Sequence, residues 1–190
     1  MQKYKYSLRK PRSEIVKDIL NVLLVSGVIV LAATSPYAGI VLWKSFQKKK
    51  QYAKRMFSNT FHGMKHRGLI AAERRGHEVR IVLTSKGKEA AAALQITQLA
   101  IKKQKKWDGF WRIVCFDISE LRRFERNAFR GMLKQLGFVH LQKSVWIQPF
   151  PCIKEIEAIR GFFNLTEREV RLIETRSIGS DDFLGKKFFL

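Results

Sequence analysis

Apolar residues recur at helical spacing in the first part of the chain. Ser13 and Glu14 predict a helix start, because serine accepts hydrogen bonds from free backbone amides and an acid favours the first turn. The apolar stripe that follows predicts a helix from Ile15 to about Ser26. Two more helices are predicted, from about Pro36 to Phe46 and from Tyr52 to Arg67.

Beyond the third helix the pattern changes to that of a strand pair. The residues Val79–Leu83 follow the alternating pattern of a strand, and a basic turn with Arg74, Arg75 and His77 precedes them. Thr84–Gly87 then leads into an alanine-rich helix. The predicted order is therefore a helix, a strand pair with a basic tip, and a return helix.

One long uncharged run allows two interpretations. Ile19–Trp43 is 25 residues long and carries no charge, which is enough length to cross a bilayer. Thr34, Ser35 and Pro36 interrupt the run as the end of one helix and the start of another. We favour two short buried helices over a membrane anchor, which remains the alternative.

The second part of the chain alternates strands and helices. Its elements are a strand with two apolar faces, a helix, a strand pair or one bent strand, a second helix and a last strand: Phe110–Ile118, Glu120–Leu136, Phe138–Gln148, Ile153–Phe163 and Glu169–Thr175. One side of the predicted helix Glu120–Leu136 is expected to face the core, and its residues are Leu121, Phe124, Ala128, Met132 and Leu136. This order predicts an α+β fold of the ferredoxin-like βαββαβ type.

Such a sheet has one face that its own helices leave uncovered. The alternating apolar residues of Phe110–Ile118 predict that this face is apolar too. A second copy of the chain is the simplest cover, so we expect a homodimer through this domain.

Charge separates the same two parts. The net charge is +21, and residues 44–106 carry 17 lysines and arginines against 3 acids, whereas residues 107–190 carry 14 against 11. An excess of this size indicates a polyanionic partner. We predict a basic DNA-binding domain over residues 1–101, a basic linker over 102–106 and a dimerisation domain over 107–190.

The cysteines and histidines do not indicate a disulfide framework or a metal site. Cys115 and Cys152 are the only cysteines, and four histidines show no spacing typical of metal ligands. A reducing, cytoplasmic location is therefore expected.

The third helix has a polar side suited to DNA. A helix can enter the major groove, where its polar side chains reach base edges and its cations contact phosphates. The candidates are the preceding lysines, the polar side of the helix and the tip of the strand pair: Lys48, Lys49, Lys50, Lys54, Arg55, Ser58, Asn59, His62, Lys65, Arg74, Arg75 and His77. A merely solvated face is the alternative for any one helix.

Two stretches resemble known families. Tyr52–Ala93 resembles the winged helix-turn-helix of bacterial transcription regulators, in which a recognition helix is followed by a hairpin wing. Trp107–Ile118, Leu136–Phe138 and Leu141–Trp146 resemble the C-terminal domain of PaaX-like repressors, itself similar to the CRISPR-associated endonuclease of spacer acquisition. The resemblance implies a winged helix followed by a ferredoxin-like domain.

The endonuclease resemblance also implies a metal site. An aspartate at the end of the first strand binds a divalent metal in that family, and Asp117 occupies this position, where it would be both metal ligand and catalytic group. A carboxylate just before a helix is also favoured by the helix dipole, so a structural role is the alternative.

The leading hypothesis is a homodimeric transcriptional regulator, acting as a repressor, that binds specific sequences of double-stranded DNA and needs no cofactor for binding. The alternative is a metal-dependent endonuclease or spacer-adaptation protein, for which Mg²⁺ or Mn²⁺ would be the cofactor. A membrane partner is not expected.

Overall fold

The computed structural model describes residues 13–32, 43, 44, 46, 52–179 and 182–188. The chain divides into two compact units, Arg9–Gln95 and Ile96–Leu190. The division lies before the predicted linker, and residues 102–106 belong to the second unit. The reason is that Ile96 is buried in the second core, with Leu99 and Ile101 packed against that core.

The first unit has three helices and three strands within its described residues. They are α1 (Glu14–Ser26), β1 (Val28–Ala32), α2 (Lys54–His66), β2 (Ile70–Arg75), β3 (Glu78–Leu83) and α3 (Ser85–Thr97), whose last two residues lie in the second unit. The strands form an antiparallel sheet in the order β1-β3-β2. This is the arrangement of a winged helix, with β2 and β3 as the wing.

The core of the first unit lies between the helices and the sheet. The inner side of α1 contributes Ile15, Ile19 and Leu20, and Phe57 of α2 and Ile81 of β3 complete its centre. All five side chains are buried. Their burial supplies the hydrophobic stabilisation that holds α2 against the rest of the unit.

The uncharged run Ile19–Trp43 contains a strand where only helices were expected. The helix from Ile15 to Ser26 is confirmed, but Val28–Ala32 is a strand that pairs with β3 from Val28–Val82 to Ala32–Glu78. Gly27, with a φ of 72°, ends the helix, and three of the five strand residues that follow are β-branched. Most of the predicted helix from Pro36 to Phe46 lies outside the described residues, although Trp43, Lys44 and Phe46 are helical.

Among the described helices, none has both the length and the apolar composition needed to cross a membrane.

The second unit has the strand order expected of the ferredoxin-like fold. Its elements are β4 (Trp111–Phe116), a 3₁₀ turn (Glu120–Arg122), α4 (Arg123–Gln135), β5 (Val139–Gln142), β6 (Val145–Gln148), α5 (Ile153–Phe163), β7 (Val170–Thr175) and α6 (Asp182–Phe188). The strands form one antiparallel sheet in the order β5-β6-β4-β7. The first and third strands of the βαββαβ unit are thus central, and the predicted fold class is confirmed.

The core of this unit lies between the sheet and two helices. Val114 and Phe116 of β4 meet Phe129 of α4 and Ile159 and Phe163 of α5. All five are buried, and the rings of Phe116 and Phe129 meet edge to face at 5.2 Å.

The predicted set of inward-facing residues of α4 was wrong at the N-terminal end of the helix. Leu121 is 97% exposed and Phe124 is 82% exposed, whereas Met132 and Leu136 are buried as predicted. Leu121 lies in a 3₁₀ turn with three residues per turn, so it does not share the phase of α4, whereas Phe124 lies in the first turn of α4 itself. Phe129 takes the inward position instead.

The other face of the sheet is covered in part by the chain itself. Leu184 of α6 is buried in a cluster with Trp111 and Ile147, and Phe188 lies 6.0 Å from the ring of Trp111. A second copy is therefore not needed to cover this end of the face. Towards the end of β4 and in the neighbouring strand β7, Cys115 is partly exposed and Ile173 is 47% exposed.

A buried arginine joins three segments of the second unit. Arg112 on β4 is 5% exposed, and its guanidinium donates to both carboxylate oxygens of Asp108 at 2.7 and 2.6 Å and to Glu174 on β7 at 2.9 Å. It also donates to the carbonyl oxygens of Phe110 and Pro149. The hydrogen bonds from Arg112 hold the pKa of Asp108 below its ordinary value of 3.8.

Candidate nucleic-acid interface

The helix α2 has one apolar side and one basic side. Phe57, Phe61 and Met64 recur at helical spacing and are buried, as the pattern predicted. The opposite side is open to solvent, and α2 contains no acidic residue. The helix is therefore held by its apolar stripe while its cations face outward.

Most predicted recognition residues of α2 lie on its exposed side. Lys54, Arg55, Asn59, His62 and Lys65 are exposed, and Ser58 is partly buried. The three lysines predicted to precede the helix, Lys48, Lys49 and Lys50, lie outside the described residues.

Two further residues extend this surface. His66 and Arg67 are exposed and line a shallow groove together with Asn59, His62 and Ser13, which stands at the start of α1. The sequence analysis did not predict His66 or Arg67 as part of this surface. The four-residue spacing from His62 to His66 was the available signal, because it places these two histidines on one side of a helix. The groove adds two basic side chains to the predicted set.

The end of α2 is set by a glycine. Gly68 has a φ of 68°, and the amides of Gly68 and Leu69 donate to the carbonyl oxygens of Lys65 and Met64 at 2.9 and 3.0 Å. This pair of bonds is a Schellman motif, which ends a helix and turns the chain sharply. The turn leads directly from α2 into the wing.

Thr84 and Gly87 join the wing to α3. The Thr84 hydroxyl donates to the Gly68 carbonyl oxygen at 2.6 Å and accepts from the Gly87 amide at 3.0 Å. A Cβ atom on Gly87 would lie 1.8 Å from the carbonyl oxygen of Leu69, so only glycine fits there. The closure predicted at Thr84–Gly87 thus locks the end of α2, the wing and α3 together.

The tip of the wing is a two-residue turn. Arg75 pairs with Glu78, and Gly76 between them has a φ of 57°, as a type II′ hairpin requires of its first turn residue. Arg74, Arg75 and His77 are all exposed. The three side chains predicted for the tip are therefore accessible to a backbone or a neighbouring groove of DNA.

The second unit can be compared with known domains. Residues 104–183 match the family model described as the PaaX protein central Cas2-like domain. The match covers the whole βαββαβ order from β4 to β7. This part of the second unit is similar to that family and is called the Cas2-like domain below. No curated protein matched the chain in a sequence comparison.

In the Cas2-like domain Asp117 follows the first strand, where the metal ligand was predicted. Its backbone amide donates to the Glu169 carbonyl oxygen at 2.8 Å and its side chain is exposed. The turn that follows is capped by Ser119, whose hydroxyl accepts from the Leu121 amide, so Asp117 is not the cap.

The acids nearest to Asp117 in sequence or by hydrogen bonding are held by arginines. Arg126 forms a bidentate pair with Glu120, and Arg122 donates to Glu169 at 2.9 Å. The pKa of Glu169 is lowered, first by the hydrogen bond from the Thr166 amide. Within the described residues no three His, Cys, Asp or Glu side chains come together as a metal site. The metal and catalytic roles of Asp117 stay predictions.

The two cysteines of the Cas2-like domain are free thiols. Burial raises the pKa of Cys152 to about 12, so this thiol stays protonated and unreactive at neutral pH.

Proposed function

We propose that this protein is a sequence-specific regulator of transcription, acting as a repressor, that binds double-stranded DNA through the first unit and forms a homodimer through the Cas2-like domain. The single observation that carries the proposal is the division of α2 into a buried apolar side and an exposed basic side without acids. The wing, with its basic tip, begins directly after the turn at Gly68 that ends α2. The Cas2-like domain supports the same proposal, because the PaaX-like proteins that this chain resembles are transcriptional regulators.

Each part of the first unit would then have its own role. The side chains of Arg55 and Asn59 would read base edges in the major groove, and Lys54 and Lys65 would contact phosphates on either side. The wing tip would contact the backbone or the adjacent minor groove. No cofactor is needed for these contacts.

The homodimer would use the uncovered end of the sheet. Cys115 and Val145 are partly exposed on the same face as Ile173 and are not part of the cluster that α6 covers. A two-fold dimer would present two copies of α2, which is the symmetry needed to bind an inverted repeat.

Selection from random duplexes tests the proposal directly. We expect enrichment of an inverted repeat whose half-sites lie about 10 base pairs apart or a multiple of that, bound about 10³-fold more tightly than unrelated DNA at physiological salt. Equal affinity for every duplex would contradict a regulator that recognises a sequence.

Replacing recognition residues should separate two kinds of contact. Arg55→Ala and Asn59→Ala are each expected to weaken binding to the selected site by about 1 to 3 kcal/mol and to leave non-specific binding nearly unchanged. Lys48→Ala is expected to weaken binding to all sequences and to lower the salt slope by about 1. Fluorescence anisotropy over a range of salt concentrations measures both effects, and equal losses on all DNA for all three variants would disprove the assignment of α2.

An exposed isoleucine tests the proposed dimer. Ile173→Glu is expected to shift sedimentation from dimer to monomer, because a carboxylate on that apolar surface would lose hydration without gaining a partner. Phe124→Glu is the matched control, since Phe124 is also exposed, at 82%, but lies on α4. A dimer that survives Ile173→Glu, or that Phe124→Glu disrupts equally, would exclude this face.

A further inference from the structure

The Cas2-like domain has a groove in which basic side chains gather without acids. Arg130 and Lys134 of α4, Lys143 of the β5–β6 turn and Lys187 of α6 line it, with His140 on β5. None of the residues that line this groove is acidic. The domain as a whole is nearly neutral, so the groove is a local concentration of positive charge.

The cations of the groove lack ion-pair partners among the described residues. Arg130, Lys134, Lys143 and Lys187 form none of the salt bridges seen there. The nearby carboxylate of Glu120 is attracted by Lys143 but is bound by Arg126. Like charges this close repel one another, and a bound anion would relieve that repulsion.

The floor of the groove is aromatic. Phe138, Trp146 and Phe183 line it, and the His140 ring stands 4.8 Å from the Trp146 ring. Trp146 is 8% exposed, and its buried indole N–H has no acceptor among the described residues. A ligand here would therefore meet the exposed rings of Phe183 and His140 as well as cations, while Trp146 and Phe138 lie buried behind that surface.

We propose that this groove binds a nucleotide, with the base against the aromatic floor and the phosphates at the lysines and arginine. Rings that stack on a base and cations that bind phosphates are the two components of nucleotide and single-strand recognition. The volume of about 700 Å³ is within the range of small-molecule sites. The nucleotide is either free or the exposed end of a nucleic-acid strand, and both share this chemistry.

Calorimetry with the full chain tests the proposal using ADP, adenosine and inorganic pyrophosphate. ADP is expected to bind at least about tenfold more tightly than adenosine or pyrophosphate, because only ADP engages both the floor and the cations. The double variant Lys134→Glu, Lys143→Glu is expected to weaken ADP binding by about tenfold or more. Both lysines are exposed, so their replacement leaves the core intact.

The controls separate this site from general charge effects and from the DNA surface. Lys154→Glu changes an exposed lysine on α5 outside the groove and should leave ADP affinity within about twofold. Arg55→Ala should also leave it unchanged, because the proposal does not depend on DNA binding by the first unit. His140→Ala should weaken ADP but not pyrophosphate.

A single-stranded oligothymidylate distinguishes the two sources of nucleotide. If it competes with ADP and loses affinity in the double variant, the groove holds a strand end; if only ADP binds, it holds a free nucleotide. The proposal is overturned if ADP binds no better than pyrophosphate, if Lys154→Glu weakens ADP as much as the double variant does, or if neither ADP nor the oligonucleotide binds at about 1 mM.

Discussion

Replacing Arg112 with methionine is expected to lower the free energy of unfolding by about 3 kcal/mol, at the lower end of the range for breaking a buried ion pair. Methionine fills much of the volume but donates no hydrogen bond, so Asp108, Glu174 and the Phe110 and Pro149 carbonyl oxygens all lose a donor. The loss stays near the lower end because the Asp108 and Glu174 side chains are 34% and 55% exposed and can be hydrated. Urea denaturation followed by circular dichroism measures it.

The matched control is Arg168→Met, because Arg168 is exposed and is in none of the described salt bridges. Its effect is expected to stay within about 0.5 kcal/mol. An Arg112→Met variant as stable as this control would show that the buried network contributes nothing net.

The effect of Arg112→Met should also depend on pH. The folded-state pKa of Asp108 is lowered by Arg112, so its contribution to stability is full above the ordinary value of 3.8 and is lost as the pH falls through the lower folded value. The difference in unfolding free energy between the natural protein and the variant should therefore be largest near neutral pH and narrow below about pH 4. A difference that widens in acid would contradict this linkage.

Replacing Gly87 with alanine is expected to destabilise the first unit by about 3 kcal/mol or more. The added Cβ would lie 1.8 Å from the Leu69 carbonyl oxygen and 2.9 Å from its carbonyl carbon, and these are backbone atoms that cannot turn away. The start of α3 would have to shift, which would break the Thr84 bonds that join it to the end of α2. Hydrogen exchange should show faster opening of β2, β3 and the start of α3.

Gly63→Ala is the matched control within the same unit. Gly63 lies inside α2, and a Cβ there would meet nothing within 4 Å. Alanine should therefore stabilise the helix by about 0.5 to 1 kcal/mol. If both substitutions had the same sign, the close contact at Gly87 would not be the cause of its effect.

The sequence pattern predicted the elements that depend on local spacing. The helix stripe of Phe57, Phe61 and Met64, the turn at Gly76 and the βαββαβ order all follow from periods of 3.6 or 2 residues and from glycine at special positions. The exposed candidates on α2 followed too, since residues opposite a buried stripe face solvent. The limits of α2 were right to within two residues at each end.

The pattern failed where a distant segment decides the structure. Val28–Ala32 is apolar throughout, and this alone does not separate a strand from a buried helix; its pairing with β3 does. Leu121 was placed inside because the 3₁₀ turn before α4 was not visible in the sequence. The packing of α6 over Trp111 was missed because Leu184 of α6 lies far from Trp111 along the chain.

By itself the sequence determined most of the helices and strands, the separation of charge between the two parts of the chain, and the side of α2 that faces solvent. Only the tertiary structure decided which groups from distant segments meet: Arg112 with Glu174 and the Pro149 carbonyl oxygen, Gly87 with Leu69, and the cations of α4, the β5–β6 turn and α6 around one groove. The physical reason is that periodicity is a property of neighbouring residues, whereas a buried ion pair, a close backbone contact or a local field depends on distances in space between residues far apart in the chain.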